Sequence, residues 1–267
     1  MAIEGEDRRD LEQAVVLLEH TSLVARLTDA VGQPIERFVD FLPSGASGRL
    51  HETVRAGLYR LLDVSVGTLK GDTQGRAAIL SHKIAGGVTG AVGGFFGGAA
   101  LAVELPVTTT LMLRSIADIA RSEGEQVESL ATRLACLEVF ALGGRSQADD
   151  GAETGYYAVR AALAKAVSDA AKHIAERGLT QKGAPVIARL ISQIASRFGV
   201  VVSEKVAAQA VPVIGALGGA TINLMFMNHF QDVARGHFIV RRLERDHGAD
   251  EVRQEYERIR TEVLNAG

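Results

Sequence analysis

Arg114, Asp118, Arg121 and Glu125 stand at i, i+4, i+7 and i+11, so on a helix they line one polar face with Arg114 and Asp118 placed to pair. Buried, that pair is polar glue between helices or part of a ligand site. Exposed, it is a solvated stripe worth a few tenths of a kcal/mol. His229 and His237 share a helical face with Phe226, Val233 and Val240, and Asp232 lies one turn from His229. The histidines are about 12 Å apart along a helix axis, too far for both to hold one metal ion without a helix break. They read as structural histidines, hydrogen-bonded at the edge of a core, and neither metal nor cofactor is expected. Cys136 has no histidine beside it in sequence and reads as core. The chain contains no Gly-x-Ser-x-Gly elbow and no phosphate-cradling Gly-x-x-x-x-Gly-Lys-[Ser/Thr] loop.

These residues need helices to position them, and helical spacing of apolar residues runs along the chain. It predicts helices from Leu11 to Val31, around Ile35 to Leu42, and from Leu50 to about Lys70. Further helices are expected over Val107–Arg121, Leu130–Leu142 and Tyr156–Arg177, and after Pro185, where Gly199 is a point of interruption. The acidic, glycine-rich stretch 143–155 reads as an exposed loop. Gly248 is a stop, after which Asp250 is placed to cap a last charged helix over Glu251–Asn265. No segment shows a strand's period of two, so the expected fold is all-α: one helical domain over 1–267 with a charged N-terminal extension at 1–10.

Two apolar segments stand out. Residues 84–103 carry no charge, and within them Gly86, Gly90, Gly94 and Gly98 recur every fourth position, with Gly87, Gly93 and Gly97 beside them. Seven interior glycines cost an isolated helix roughly 7 kcal/mol relative to alanine, so packing or a bilayer must offset them. A bare Gly-x-x-x-Gly stripe suits close helix crossings in membranes. Residues 206–231 are also uncharged, with Gly215 and Gly219 four apart, and the two segments are expected to form central helices packed closely together. Twenty residues match a hydrocarbon core of about 30 Å, and Pro106 marks a bend after the first segment. Length and composition favour membrane insertion or docking over a soluble glycine-packed bundle.

The balance of 29 basic against 32 acidic residues gives no electrostatic reason to bind nucleic acid. The acidic and basic start, from Glu4 to Asp10, is unlike a secretory signal, and a single cysteine fits a reducing compartment. Balanced charge after Asp232 describes a solvated helix, although Arg235, Arg241, Arg242 and Arg245 are placed to meet anionic lipid headgroups.

The run Glu104 to Glu125, the segment Cys136-Leu137-Glu138-Val139-Phe140-Ala141-Leu142-Gly143-Gly144, and the string Asn223, Phe226, His229-Phe230, Ala234, His237-Phe238, Arg241-Arg242-Leu243-Glu244 together resemble the EcsC family. The resemblance spans nearly the whole chain. It implies a bacterial, membrane-linked setting, because the family is named from an operon that also encodes an ABC transporter, and it brings no established activity. Its matching positions are Glu104, Pro106, Thr108, Thr109, Arg114, Asp118, Asn223, His229, His237 and Arg241, without assigned roles. His247 stands before Gly248 where the pattern leads one to expect an aromatic. The reading is of a non-enzymatic, membrane-associated accessory or remodelling factor on the cytoplasmic side, with lipid as partner, self-association through glycine faces, and a transporter by family association only. The rivals are a hydrolase-like enzyme using Glu104, Asp118, Glu138 and a histidine, and a self-associating scaffold.

Overall fold

The computed structural model describes residues 3–19, 23, 26–28, 46–67, 98–144, 155–178, 184–210 and 218–266. Among them there is no strand, and the expected all-α class holds. The helices are α1 (Gly5–Glu19), α2 (Ala46–Gly67), α3 (Gly98–Ser122), α4 (Leu130–Leu142), α5 (Tyr156–Arg177), α6 (Pro185–Ala210), α7 (Gly218–His247) and α8 (Ala249–Ala266).

Local chemistry explains most boundaries. Ser129 caps α4 by accepting the Thr132 N–H at 3.2 Å, and Pro185 fixes the first turn of α6 without needing its missing N–H. Gly248 has φ +95°, a conformation that only glycine adopts cheaply, and its N–H returns to the Glu244 carbonyl at 3.0 Å to close α7. Its own carbonyl accepts the Val252 N–H, so α8 starts from Gly248, and Asp250 lies in the first turn instead of capping it.

Other expectations are corrected. The charged residues 5–10 are the first turns of α1. α3 starts at Gly98, ahead of the expected Val107, and includes Pro106 within it. Two hydroxyls in the following turn bond back to the backbone, Thr109 to Leu105 O at 2.7 Å and Thr110 to Pro106 O at 2.7 Å, the i→i−4 bonding by which threonines inside a helix satisfy themselves. α6 continues through Gly199, where an added Cβ would meet nothing within 4 Å. Of the segment 206–231, residues 206–210 belong to α6 and residues 218–231 to α7, and 211–217 lie outside the described residues. Gly86, Gly90, Gly94 and Gly215 lie outside the described residues, while Gly98 and Gly219 open α3 and α7.

The main core joins α2 to α7, with Phe140, Phe198, Phe226 and Phe230 interlocked from α4, α6 and α7 at ring separations of 5.0–6.1 Å. A second core lies where Leu11, Ala14 and Val15 of α1 and Val252, Tyr256 and Ile259 of α8 meet Ile239, Val240 and Leu243 of α7. Two cross-links give the direction of the helices that carry most candidate residues. Gln231 bonds Ser115 at 2.8 Å and Arg241 bonds Glu125 at 2.8 Å, both at a separation of 116 residues, so α3 and α7 run in parallel.

Candidate functional site

The polar residues gather along α7 from His229 onward, in three groups. The first surrounds Glu125, which lies just past α3 and therefore off the helical face expected for it. Its carboxylate accepts Arg241 Nε at 2.8 Å, Arg245 Nη1 at 2.5 Å and the Thr132 hydroxyl at 2.8 Å, and its side chain is only 6% exposed. Burial works to raise its pKa, but the bonds from Arg241 and Thr132 and the charges of Arg241 and Arg245 outweigh it and hold the carboxyl below its ordinary range. Arg242 pairs with Glu123 at 2.9 Å, Asp10 at 2.5 Å and Asp7 at 3.4 Å, and His247 bonds Asp7 at 2.8 Å. Arg235, Arg241, Arg242 and Arg245 are thus each paired with carboxylates of this chain.

The second group is buried between α4, α5 and α7. His237 is fully buried; its Nδ1 shares a 2.8 Å hydrogen bond with the Tyr156 hydroxyl, and among the described residues nothing bonds its Nε2. Burial, then the charges of Arg160 and Arg241, hold His237 neutral well below its ordinary pKa. Arg160 makes a forked pair with Glu244 at 2.7 and 3.0 Å, and Tyr157 donates to the same carboxylate at 3.1 Å. Glu138, from the Cys136–Gly144 motif, is buried. Burial pushes its pKa up to about 7 against the pull of Arg160 and Arg241. Cys136 is buried and its thiol is pushed up to about 12 by burial, which removes it as a nucleophile and agrees with a core role.

The third group joins α7 to the end of α4. His229 donates from Nε2 to the Gly143 carbonyl at 2.7 Å, which leaves Nδ1 as a buried lone pair without a partner among the described residues. Close approach through glycine occurs here. A Cβ on Gly143 would lie 2.6 Å from Phe230 Cε1, one on Gly144 would strike the Arg197 carbonyl, and one on Gly236 would lie 2.7 Å from Leu18 Cγ. Of the stretch 143–155, Gly143 is half-buried and Gly144 and Gly155 are buried, while Asp149, Asp150 and Glu153 lie outside the described residues.

Glu19, which the sequence did not single out, ties the ends of the chain to α5. Gly155 offers no side chain to cap that helix, and the Glu19 carboxylate accepts the Tyr156 N–H at 3.1 Å instead, while also taking the Tyr256 hydroxyl at 2.8 Å and pairing with Arg260 at 3.3 Å.

The remaining candidates lie elsewhere. Asp118 pairs with Arg121 at 2.8 Å, not with Arg114, and both Arg114 and Asp118 are exposed. Thr108 is half-buried, Thr109 is buried on its own backbone, and Asn223 Oδ1 is buried without a partner among the described residues. The side chain of Glu104 is outside the described residues. Exposed Asp118 does not join buried Glu138, His229 or His237 in one pocket, and no group of three metal-ligating side chains occurs among the described residues. α6, over Pro185–Ala208, is long and apolar enough to cross a membrane, yet Ile187, Ile191, Ile194, Phe198 and Val202 on it are fully packed into the main core.

No curated protein and no solved structure matches the chain. The model of the EcsC protein family matches residues 23–243, which include α2 to α6, most of α7 and, of the polar groups, Glu123, Glu125, Glu138, Tyr156, Arg160, His229, His237, Arg241 and Arg242. The chain belongs to the EcsC protein family.

Proposed function

We propose that this chain is a non-enzymatic, membrane-associated accessory or remodelling factor of bacteria that docks from the cytoplasmic side with one end of its helical bundle. The observation that carries the reading is the separation of charge along two parallel helices. From Gly98 to Leu113, α3 has one ionisable residue, Glu104, and from Gly218 to Gln231, α7 has only His229. Because α3 and α7 run together, these first halves lie at the same end, and the ion pairs of Glu123, Glu125, Arg241, Arg242 and Arg245 lie at the other. Leu224 is 63% exposed and Leu111 is 39% exposed on the uncharged halves. The two glycine-rich apolar segments join the bundle there, one leading into Gly98 and the other into Gly218. Apolar surface at one end and fixed charge at the other suit a lipid boundary.

The test is flotation of the purified chain with phosphatidylcholine vesicles, together with a carbonate wash of membranes from expressing cells. Flotation supports docking, and retention after carbonate adds insertion. A chain that stays at the bottom of the gradient and is released entirely by buffer alone overturns the reading.

A further inference from the structure

We propose that α1 and α8 form a clasp on α7 that opens on acidification, with His237 as the group whose protonation releases it. Both helices lie outside residues 23–243, the part of the chain that the family shares. They are held by a core of their own, whose members include Leu11, Val15, Tyr256 and Ile259. Contiguous units of this kind open locally without unfolding the rest. His237 sits at the seam. Its Nδ1 bonds Tyr156, whose ring lies 5.5 Å from Tyr256 of α8, and the neighbouring Gly236 packs directly on Ala14 and Leu18 of α1. Opening the clasp removes Tyr256 from Tyr156, removes α1 from Gly236, and breaks the Glu19 bond that caps α5.

Closed, the site does not tolerate an imidazolium. Arg160 from α5 and Arg241 from α7 already set positive charge around His237. Glu138 from α4 loses its negative charge as pH falls through about 7, so it offers no counter-ion when one is needed. Glu244 is committed to Arg160 and Tyr157, and Glu19 of α1 is shared among the Tyr156 N–H, Tyr256 of α8 and Arg260 of α8. Open, the ring meets water and titrates near its ordinary value. Each pH unit below about 6.5 then multiplies the opened population by up to about tenfold. His247 of α7 bonds Asp7 of α1 at 2.8 Å, a second contact between the clasp and α7, so the His237 contribution must be separated by substitution.

The experiment is hydrogen exchange of the full chain between about pH 7.5 and about pH 5.5, corrected for the intrinsic rate, in the unmodified protein and in His237→Gln. Amides of α1 and α8 should lose protection by about tenfold per unit below about pH 6.5 while those of α4 and α6 keep theirs, and His237→Gln should flatten the fall. Constant protection of α1 and α8, or an equal fall in the variant, overturns the proposal. If the variant does not fold, nitrogen NMR of the unmodified protein decides. An imidazole that stays neutral until α1 and α8 lose protection supports the clasp, and one that titrates beneath a protected clasp refutes it.

Discussion

His229, in the middle of α7, donates its Nε2–H to the carbonyl oxygen of Gly143 at the C-terminal end of α4 across 2.7 Å. The last carbonyls of a helix have no partner within it, and here one is satisfied by a side chain from another helix. The bond fixes the tautomer, because a carbonyl can only accept. It also explains why Gly143 is glycine: a Cβ there would come within 3.1 Å of the same Nε2 and 2.6 Å of Phe230.

Replacing His229 with leucine should therefore cost about 1–3 kcal/mol, the penalty for a buried carbonyl left without a donor. Urea unfolding of His229→Leu and His229→Gln measures it. The glutamine, which keeps an N–H donor, should recover part of the loss, and equal stability of both variants with the parent would deny the bond a role.

Two buried groups should make the pH dependence of stability flatter than either alone. His229 is pulled down to about 4 by burial, so between its ordinary 6.5 and that value the unfolded chain binds a proton that the folded chain refuses. Stability falls there as pH falls. Glu138 is pushed up to about 7, so between 4.5 and about 7 the folded chain holds a proton that the unfolded chain has released. Its contribution is fully present below 4.5 and is lost as pH rises through about 7, opposite in sign to that of His229. In Glu138→Gln the urea midpoint should climb with pH from about 4.5 to about 6.5 more steeply than in the parent. Each group supplies up to roughly 3 kcal/mol over its window.

The helices were legible because their signals are local. Periodicity, with Pro185 for the last of them, gave Leu130–Leu142, Tyr156–Arg177 and the start of α6 as they are observed. The partners were not legible, because side-chain pairing across helices leaves no trace in spacing. Intrahelical geometry suggested Arg114 with Asp118, whereas Asp118 takes Arg121, and Glu125 leaves the face to reach Arg241. Glu19 was invisible for the same reason: it caps a helix 137 residues away. Burial of His229 and His237 could be anticipated from Phe226, Val233 and Val240 on their face, but the bonds to Gly143 and Tyr156 could not.

Glycines at close approaches should respond differently from those facing space. Gly144→Ala sets a Cβ 2.6 Å from the Arg197 carbonyl carbon, a backbone atom that cannot swing aside, and should cost about 1–3 kcal/mol or more. Gly199→Ala, mid-helix with nothing within 4 Å, should instead stabilise by up to about 1 kcal/mol. Thermal unfolding of the two variants side by side gives the sign directly.

Glu125 should act as a single point of failure for the charged end. Glu125→Ala leaves Arg241, only 25% exposed, without its carboxylate, and should cost about 3 kcal/mol, near the lower end for a broken buried pair. Because the folded pKa of Glu125 lies below its ordinary 4.5, its contribution is present above that value and is lost as pH falls through the folded pKa. Glu125→Gln should accordingly cost stability above about pH 4.5, less than the alanine does, and its stability curve should converge on the parent's as pH falls through the folded pKa.

The uncharged end is tested by placing charge on it. Leu111 and Leu224 are exposed, so Leu111→Glu with Leu224→Glu should change folding stability by no more than about 0.5 kcal/mol per site. If these leucines enter the interfacial region of a bilayer, each contributes roughly 1.5 kcal/mol of apolar burial, and losing both should weaken vesicle binding by about a hundredfold. The arginines are already paired with Glu123, Glu125, Asp7 and Asp10, so neutral vesicles should bind nearly as well as anionic ones, and added salt should matter little. Binding that survives the double substitution but requires anionic lipid would move the contact to basic residues elsewhere. Stability unchanged with binding abolished on neutral vesicles is the outcome that this arrangement of charge demands.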